Sequence, residues 1–307
     1  MIGILLMSYG SPESLGHVGD YVNHILNGRQ APARQLEQID AQYRALETAD
    51  PLGPFTIQQA QGLERLFQLK GRQDVVVEAG FKHAPPFIED VISRLIERGV
   101  NSIVTLPLTP LYSKSGAEMY QQQVRRCVEQ TGADINVIDI ENWSTQPLFV
   151  AALANRVKSA LTWLPEAARQ KVEVIFTTHS RPGSTEKNVD YCQQFTALAE
   201  RIAEQLQWPD WKLAYRGARP GQEWLGPSVK EVVEQAGKEG RKGIVVCDLL
   251  AVTAHVEVLH DIGGPLKAHA ERFGMTFVRA EFLNDSTDFM LALATIVEEQ
   301  LTVQHVF

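Results

Sequence analysis

Two stretches of this chain carry side chains suited to proton or metal chemistry. The first is VIFTTHSRPGS, Val174–Ser184. A β-branched apolar run climbs to Thr178, and His179 follows where a strand should end, just ahead of the turn residues Ser180–Gly183. The second is LLAVTAHVEVLHDIGG, Leu249–Gly264, which presents His255, Glu257, His260 and Asp261. One helical turn separates Glu257 from Asp261, so a helix there stacks both carboxylates on one face. Imidazole with carboxylate suits a divalent transition metal. The same pair suits proton abstraction, because an imidazole with an unperturbed pKa of about 6.5 accepts a proton at neutral pH. Each stretch alone also has a plainer reading: a hydrogen-bonded structural histidine at a strand end, and a solvated acidic helix face.

Other chemistries lack their signatures. H-E-x-x-H and G-x-S-x-G are absent, as are a Walker A loop and a GxGxxG opening a helix after the first strand. Cys127, Cys192 and Cys247 form no C-x-x-C, which argues against a disulfide framework and an all-cysteine metal site and suits a reducing cytoplasm. The net charge of −8 makes a nucleic-acid partner unexpected. The apolar run in MIGILLMSYGSP is short for a signal peptide and has no basic residue before it. GIVVCDLLAVTA is interrupted by Asp248 and is too short to span a bilayer, so no stable membrane insertion is expected.

These residues need elements to position them. The 307 residues allow one large domain or two of ordinary size. Strands are predicted at Ile2–Tyr9, Val75–Lys82, Ser102–Thr109 and Asp134–Ile140, then at Val172–Thr178, Lys212–Arg216, Gly243–Cys247 and Thr276–Glu281. Amphipathic stretches such as PPFIEDVISRLIERG and PSVKEVVEQAGKEG lie between them, with Pro85, Pro86 and Pro227 where helices should start. Strands alternating with helices imply an α/β fold with parallel sheets flanked by helices. The halves also repeat: LLMSYGSP parallels IFTTHSRP, and Gly80–Leu108 parallels Gly217–Leu250 in the order glycine, proline, helix, glycine turn and buried strand. The reading is two similar Rossmann-like domains, 1–146 and 147–307, with a hinge near NWSTQP. The C-terminal helix Thr287–Leu301 is free to pack back onto the first domain. Ligands of open α/β sheets bind beyond the carboxyl ends of the strands. The repeat puts Tyr9 and His179 at equivalent strand ends, on opposite walls of an expected cleft.

Taken together, LLMSYGSP, the Gly28–Arg29 pair, KHAPPFIED, PLYSKSG, THSRP, WLGP and HVEVLHD resemble ferrochelatases, in the order that family keeps them and over nearly the whole chain. The resemblance implies two Rossmann-like domains around a porphyrin cleft and insertion of ferrous iron into a porphyrin in haem synthesis, coproporphyrin III being the expected substrate. It implies His179 and Glu257 as the catalytic and metal-binding pair, and Tyr9, Arg29 and Tyr120 as porphyrin contacts. Iron is then a substrate, with no tightly bound cofactor and no iron–sulfur cluster, and the protein is expected to act as a cytoplasmic monomer.

The chain also departs from the coproporphyrin-type pattern. Leu26 and Gln42 stand where those relatives usually have arginine, and Asp50 stands where they have serine in the loop written TADPLG here. Such positions help bind porphyrin propionates, so losing cations and gaining an anion weakens that grip. Arg29, Lys82, Lys114, Arg181 and Arg216 are candidate replacements. Ala254 and Pro265 replace two acids of the family pattern. Two other readings therefore stand beside the first: a divergent chelatase for another tetrapyrrole or metal, and a non-catalytic haem- or porphyrin-binding protein. A two-lobed periplasmic-type binding protein is a weaker third.

Overall fold

The computed structural model describes residues 1–46, 50–219 and 221–304. Thr48 and Ala49 of the TADPLG loop, and the last three residues of the predicted second domain, lie outside the described residues. The chain divides into two compact units. Unit 1 comprises Met1–Trp143, Thr253–Val256 and Asn284–Phe307, and unit 2 comprises Ser144–Val252 and Glu257–Leu283.

Unit 1 runs β1 (Ile2–Ser8), α1 (Val18–Ile25), α2 (Ala33–Ala45), α3 (Leu52–Leu69), β2 (Val75–Phe81), α4 (Ile88–Glu97), β3 (Ser102–Pro107), α5 (Ala117–Thr131) and β4 (Asn136–Asp139). Its sheet is parallel, in the order β2-β1-β3-β4. A strand covered on both faces reads as a continuous apolar run rather than an alternation, and every residue of β1, IGILLMS, is buried. Helix α4 shows the complementary pattern. Ile88, Val91, Ile92 and Leu95 recur at helical spacing and pack on Leu5, Met7, Val76 and Ile103. Each such side chain removed from water contributes about 1.5–3 kcal/mol.

Unit 2 runs α6 (Pro147–Thr162), α7 (Glu166–Arg169), β5 (Val172–His179), α8 (Val189–Leu206), β6 (Trp211–Arg216), α9 (Val229–Lys238), β7 (Gly243–Asp248), α10 (Val256–Asp261), α11 (Gly264–Glu271) and β8 (Thr276–Arg279). The first residue of α10 is counted with unit 1. The sheet order β6-β5-β7-β8 repeats that of unit 1. Ile175, Ala214, Val233, Ile244, Val246 and Ile262 form its core.

All eight predicted strands form, with ends differing by up to a few residues. The predicted helix starts at the prolines are corrected. Pro86 and Pro227 precede the N-caps Phe87 and Ser228 instead of opening the helices. The reason is the same in both units: the proline carbonyl accepts a hydrogen bond from the sheet, from Phe81 N in one and Tyr215 N in the other, each at 2.9 Å. The prolines thus belong to extended chain alongside a strand, and Ser228 with Glu231 closes a capping box for α9.

The final helix, α12 (Thr287–Val303), packs on α3 in unit 1. Fully buried Gln59 of α3 explains why late segments of the chain belong to this unit. Its amide donates to Thr253 Oγ1 at 2.8 Å and to the Asn284 carbonyl at 2.6 Å. Lys70 pairs with Glu298 at 2.7 Å.

Asp50 is turned inward. It is 3% exposed, and its carboxylate accepts hydrogen bonds from Leu52 N at 3.1 Å and from Tyr43 Oη at 3.5 Å. The expectation that it adds an anion to a ligand-binding surface is therefore corrected: it closes the start of α3. Burial raises its pKa from 3.8 to about 6, against the lowering effect of the Leu52 and Val256 amides and the Tyr43 hydroxyl. A carboxyl whose folded pKa is raised stabilises the fold most below its unfolded pKa, and that contribution disappears as pH rises through the folded value. Asp50→Asn should therefore raise the thermal unfolding midpoint relative to the parent at pH 7.5. The difference in unfolding free energy should narrow by about 2 kcal/mol between pH 7.5 and pH 4.5. Scanning calorimetry of both proteins at the two pH values checks this, and a gap that does not change with pH refutes it.

Candidate metal and proton-transfer site

In each unit the second strand of the sheet order, β1 or β5, lies between the strand that follows it in sequence and the one after that. Connections leaving β5 and β7 therefore diverge and open a crevice at their carboxyl ends, the usual ligand position of such sheets. His179 is the last residue of β5, and Glu257 lies on α10 after β7. The two residues, 78 positions apart in sequence, come together with Nε2 of His179 3.1 Å from Oε1 of Glu257.

The tautomer follows from the neighbours. Nδ1 of His179 lies 2.7 Å from the Ser180 carbonyl oxygen, which can only accept, so Nδ1 carries the hydrogen. A neutral ring then turns the lone pair of Nε2 toward a carboxylate oxygen. Two acceptors face each other, and a proton or a cation between them resolves the contact. The side chains are 28% and 44% exposed, so the pair is open to an incoming group. Among the described residues no three His, Cys, Asp or Glu side chains converge on a possible metal position.

The backbone makes room for this ring. Gly217 follows Arg216, the register partner of His179 on β6. It has φ +74°, and a Cβ at this position would run into the imidazole. Tyr191 fixes the strand end from below, its hydroxyl lying 3.0 Å from the His179 carbonyl and 2.6 Å from Thr178 Oγ1.

Arg216 corrects two expectations. It is not a replacement grip for a carboxylate ligand, because its side chain is 2% exposed and its Nε bonds Oδ2 of fully buried Asp248 at 2.5 Å. Nor do Glu257 and Asp261 form a merely solvated acidic face, since Nη1 of Arg216 lies 3.8 Å from Glu257 Oε2 and 4.0 Å from Asp261 Oδ2. Burial opposes the guanidinium charge, but Asp248, Glu257 and Asp261 more than offset it and hold the pKa above its ordinary value. Burial raises the Asp261 carboxyl, with Arg216 acting the other way. His260 lies beside it, Nδ1 to Asp261 Oδ1 at 3.4 Å, while His255 precedes α10 in unit 1.

The other predicted residues lie in unit 1. Tyr9 follows β1 and is 41% exposed, with its ring 4.5 Å from that of His83. His83 Nδ1 lies 3.1 Å from His24 Nδ1, and His24 stacks on Phe87 at 5.1 Å. Burial first, then Lys82 and His24, lowers the His83 pKa to about 4, so this ring is neutral at pH 7. Tyr120 lies on α5, after β3, with Lys82 Nζ 5.7 Å from its ring centroid. Burial, with Tyr9 adding to it, raises the Tyr120 phenol above its ordinary range. Tyr9 thus lies just past β1 and Tyr120 on the helix that follows β3, the two strands that flank the crevice of unit 1. Arg29 is exposed on the turn after α1, while Leu26 packs beside Val18, Val22 and Tyr43. Lys114 is exposed, and the Arg181 guanidinium lies 4.3 Å from the Tyr191 ring centroid. The sequence reading passed over His24, His83, Gly217 and Asp248. Only the folded chain shows it: His83 meets Tyr9 and is itself met by His24, Gly217 lies against the His179 ring, and Asp248 pairs with Thr177 two residues before His179.

Solved structures share this architecture. SirB from Bacillus subtilis with Fe3+ aligns with a TM-score of 0.61 at 15% identity, over 97% of this chain and 95% of that one. DR2241 from Deinococcus radiodurans, described as similar to chelatases with two additional domains, gives a TM-score of 0.56 at 13% identity, over 98% of this chain and 55% of that one. The fold is thus that of the chelatases. The sequence model of ferrochelatases matches residues 1–301, and the chain belongs to the ferrochelatase family. A ferrochelatase of Herpetosiphon aurantiacus is 32% identical over 97% of this chain and 98% of its own length. Coproporphyrin III ferrochelatases of Geobacillus thermodenitrificans and Bacillus subtilis are 32% and 29% identical, each over 98% of this chain and over 96% and 98% of their own lengths. Among the described residues no helix is long and apolar enough to cross a membrane.

Gly217→Ala should displace the His179 ring. The added methyl meets the imidazole, and positive φ costs about 1 kcal/mol for a residue with a Cβ. The expected result is a folded protein, by circular dichroism, whose metal-insertion rate falls at least about tenfold. A folded variant with an unchanged rate would show that the ring position is unimportant.

Proposed function

We propose that the protein inserts ferrous iron into coproporphyrin III, with His179 and Glu257 as the catalytic pair. The observation that carries this reading is the 3.1 Å contact of His179 Nε2 with Glu257 Oε1: with Nδ1 donating to the Ser180 carbonyl, that contact holds either a proton or a cation. Metallation of a porphyrin releases two pyrrole protons and takes up one partly dehydrated dication. A neutral His179 with its proton on Nδ1 receives a pyrrole proton at Nε2 or offers that lone pair to iron, and Glu257 supplies the balancing negative charge. Two side chains suit a metal that must be passed on, since a complete ligand cage would retain it. On the unit 1 side we assign Tyr9, Arg29 and Tyr120 to the porphyrin. Tyr9 and neutral His83 offer ring surfaces to an aromatic macrocycle.

Coproporphyrin is favoured by the names of the relatives from Geobacillus and Bacillus. A second reading, another tetrapyrrole, rests on Leu26, which sits in an apolar cluster where a propionate partner is otherwise expected. We place the protein in the cytoplasm as a monomer without a resident cofactor. The free, scattered cysteines accord with a reducing compartment.

Anaerobic mixing of pure protein with ferrous iron and coproporphyrin III should give the absorbance change of metallation well above the uncatalysed background. Protoporphyrin and sirohydrochlorin run in parallel separate the two readings by their kcat/KM. His179→Ala should lower kcat by about 10²–10⁴-fold, the contribution typical of a positioned general base, with the fold intact. A folded His179→Ala variant that metallates normally would refute the assigned role.

A further inference from the structure

The Arg216–Asp248 pair is the part of unit 2 that the proposed chemistry leaves unused. Register puts it under the site. His179 on β5 pairs with Arg216 on β6, and Thr177 on β5 pairs with Asp248 on β7. Paired residues share a face of the sheet, as do residues two apart on one strand. Arg216, His179, Thr177 and Asp248 therefore lie on one face, and the guanidinium reaches from β6 to β7 across the end of the strand that carries His179. Oδ2 of Asp248 accepts from the guanidinium, and its Oδ1 accepts from the backbone amides of Leu250 and Ala251 at 2.9 and 2.6 Å.

The other end of the guanidinium is unspent. Nη1 of Arg216 is buried without a hydrogen-bond partner, and so is Oδ2 of Asp261, 4.0 Å away. Glu257 Oε2 lies 3.8 Å from the same nitrogen, while its Oε1 faces His179. Glu257 therefore stands between a permanent buried cation and the open contact with His179. A dication arriving beside Oε1 meets a carboxylate whose charge is already partly balanced from behind.

We infer that the Arg216–Asp248 pair is a positioning device that limits the metal affinity of the His179–Glu257 contact, so that a divalent cation passes through it without lodging there. This rests on the reading of that contact as a metal station. Its consequence is a sign rule. Removing the guanidinium charge strengthens metal binding, because the nearest cation behind Glu257 is gone. Removing only the Asp248 charge weakens it, because Arg216 then acts on Glu257 with less compensation. A pair that served packing alone would move affinity in the same direction in both cases, or not at all.

The test measures Co2+ binding by equilibrium dialysis without porphyrin, in the full-length parent, in Asp248→Asn, and in the double variant Arg216→Met with Asp248→Asn. The double variant avoids leaving a buried carboxylate unpaired. The double variant should bind Co2+ about tenfold more tightly than the parent, and Asp248→Asn should bind more weakly by a few-fold. Adding Glu257→Gln should erase both differences. In turnover, the double variant should show a lower KM for the metal together with a lower kcat. Equal affinities, or shifts of the same sign in both variants, overturn the inference. If the double variant does not fold, unchanged or tighter binding by Asp248→Asn overturns it alone, and weaker binding supports it only when Glu257→Gln erases the deficit; a deficit that persists in Glu257→Gln overturns it. Metallation of coproporphyrin by the parent is measured alongside. If that succeeds while the affinities do not move, only this inference fails. If it fails, the functional reading falls, and the order of the three Co2+ affinities still decides the inference.

Discussion

Both sheets are parallel and covered by helices on both faces, and this constraint governs where the protein can do chemistry. A strand such as IGILLMS has no solvent face along its length, so its first opportunity to present a polar group is its end. The shared strand order then decides which ends matter. β1 and β5 each lie beside strands whose connections diverge, and the crevices so formed receive Tyr9 and His179. Glu257 and Tyr120 arrive on the helices that follow β7 and β3, the other strand at each crevice.

Within unit 2, hydrogen bonding sets the chemistry more than proximity does. The Ser180 carbonyl fixes the proton on Nδ1 and so determines what Nε2 can offer. Gly217 lets the ring lie close against β6, and Tyr191 ties the strand end beneath it. Arg216 and Asp248 then place a buried cation behind Glu257. Such a cluster is costly to bury and is sustained here by a close ion pair and two backbone donors.

Unit 1 absorbs two of the departures from the family pattern into its own architecture. Leu26 contributes to an apolar cluster with Val18, Val22 and Tyr43, and Asp50 closes the start of α3 beside Tyr43. Neither residue offers a cation to a propionate. What unit 1 does present near the end of β1 is ring surface, Tyr9 with His83 and Tyr120 near Lys82, while Arg29 is an exposed charge.

Much of this was legible in the residues. The alternation of apolar runs with amphipathic stretches determined the α/β class, because strand and helix periods differ. The eight strands were recognisable for the same reason, as was His179, an ionisable ring ending a buried run. The order of short motifs determined the family. Strand ends were less legible, because pairing stops where a neighbour stops, as at β8, which matches β7 over four residues only. The same limit hid the place of Pro86 and Pro227, whose carbonyls serve the sheet rather than the helix. Arg216 read as a free cation and Asp50 as a free anion, since a sequence records charge but not burial. Tertiary structure alone decided that both are enclosed, that Gly217 makes room for the imidazole, and that Glu257 meets His179 across 78 residues with a guanidinium behind it. The physical reason is that local patterns report periodicity and propensity, whereas the charge environment of a side chain is set by which strands lie side by side.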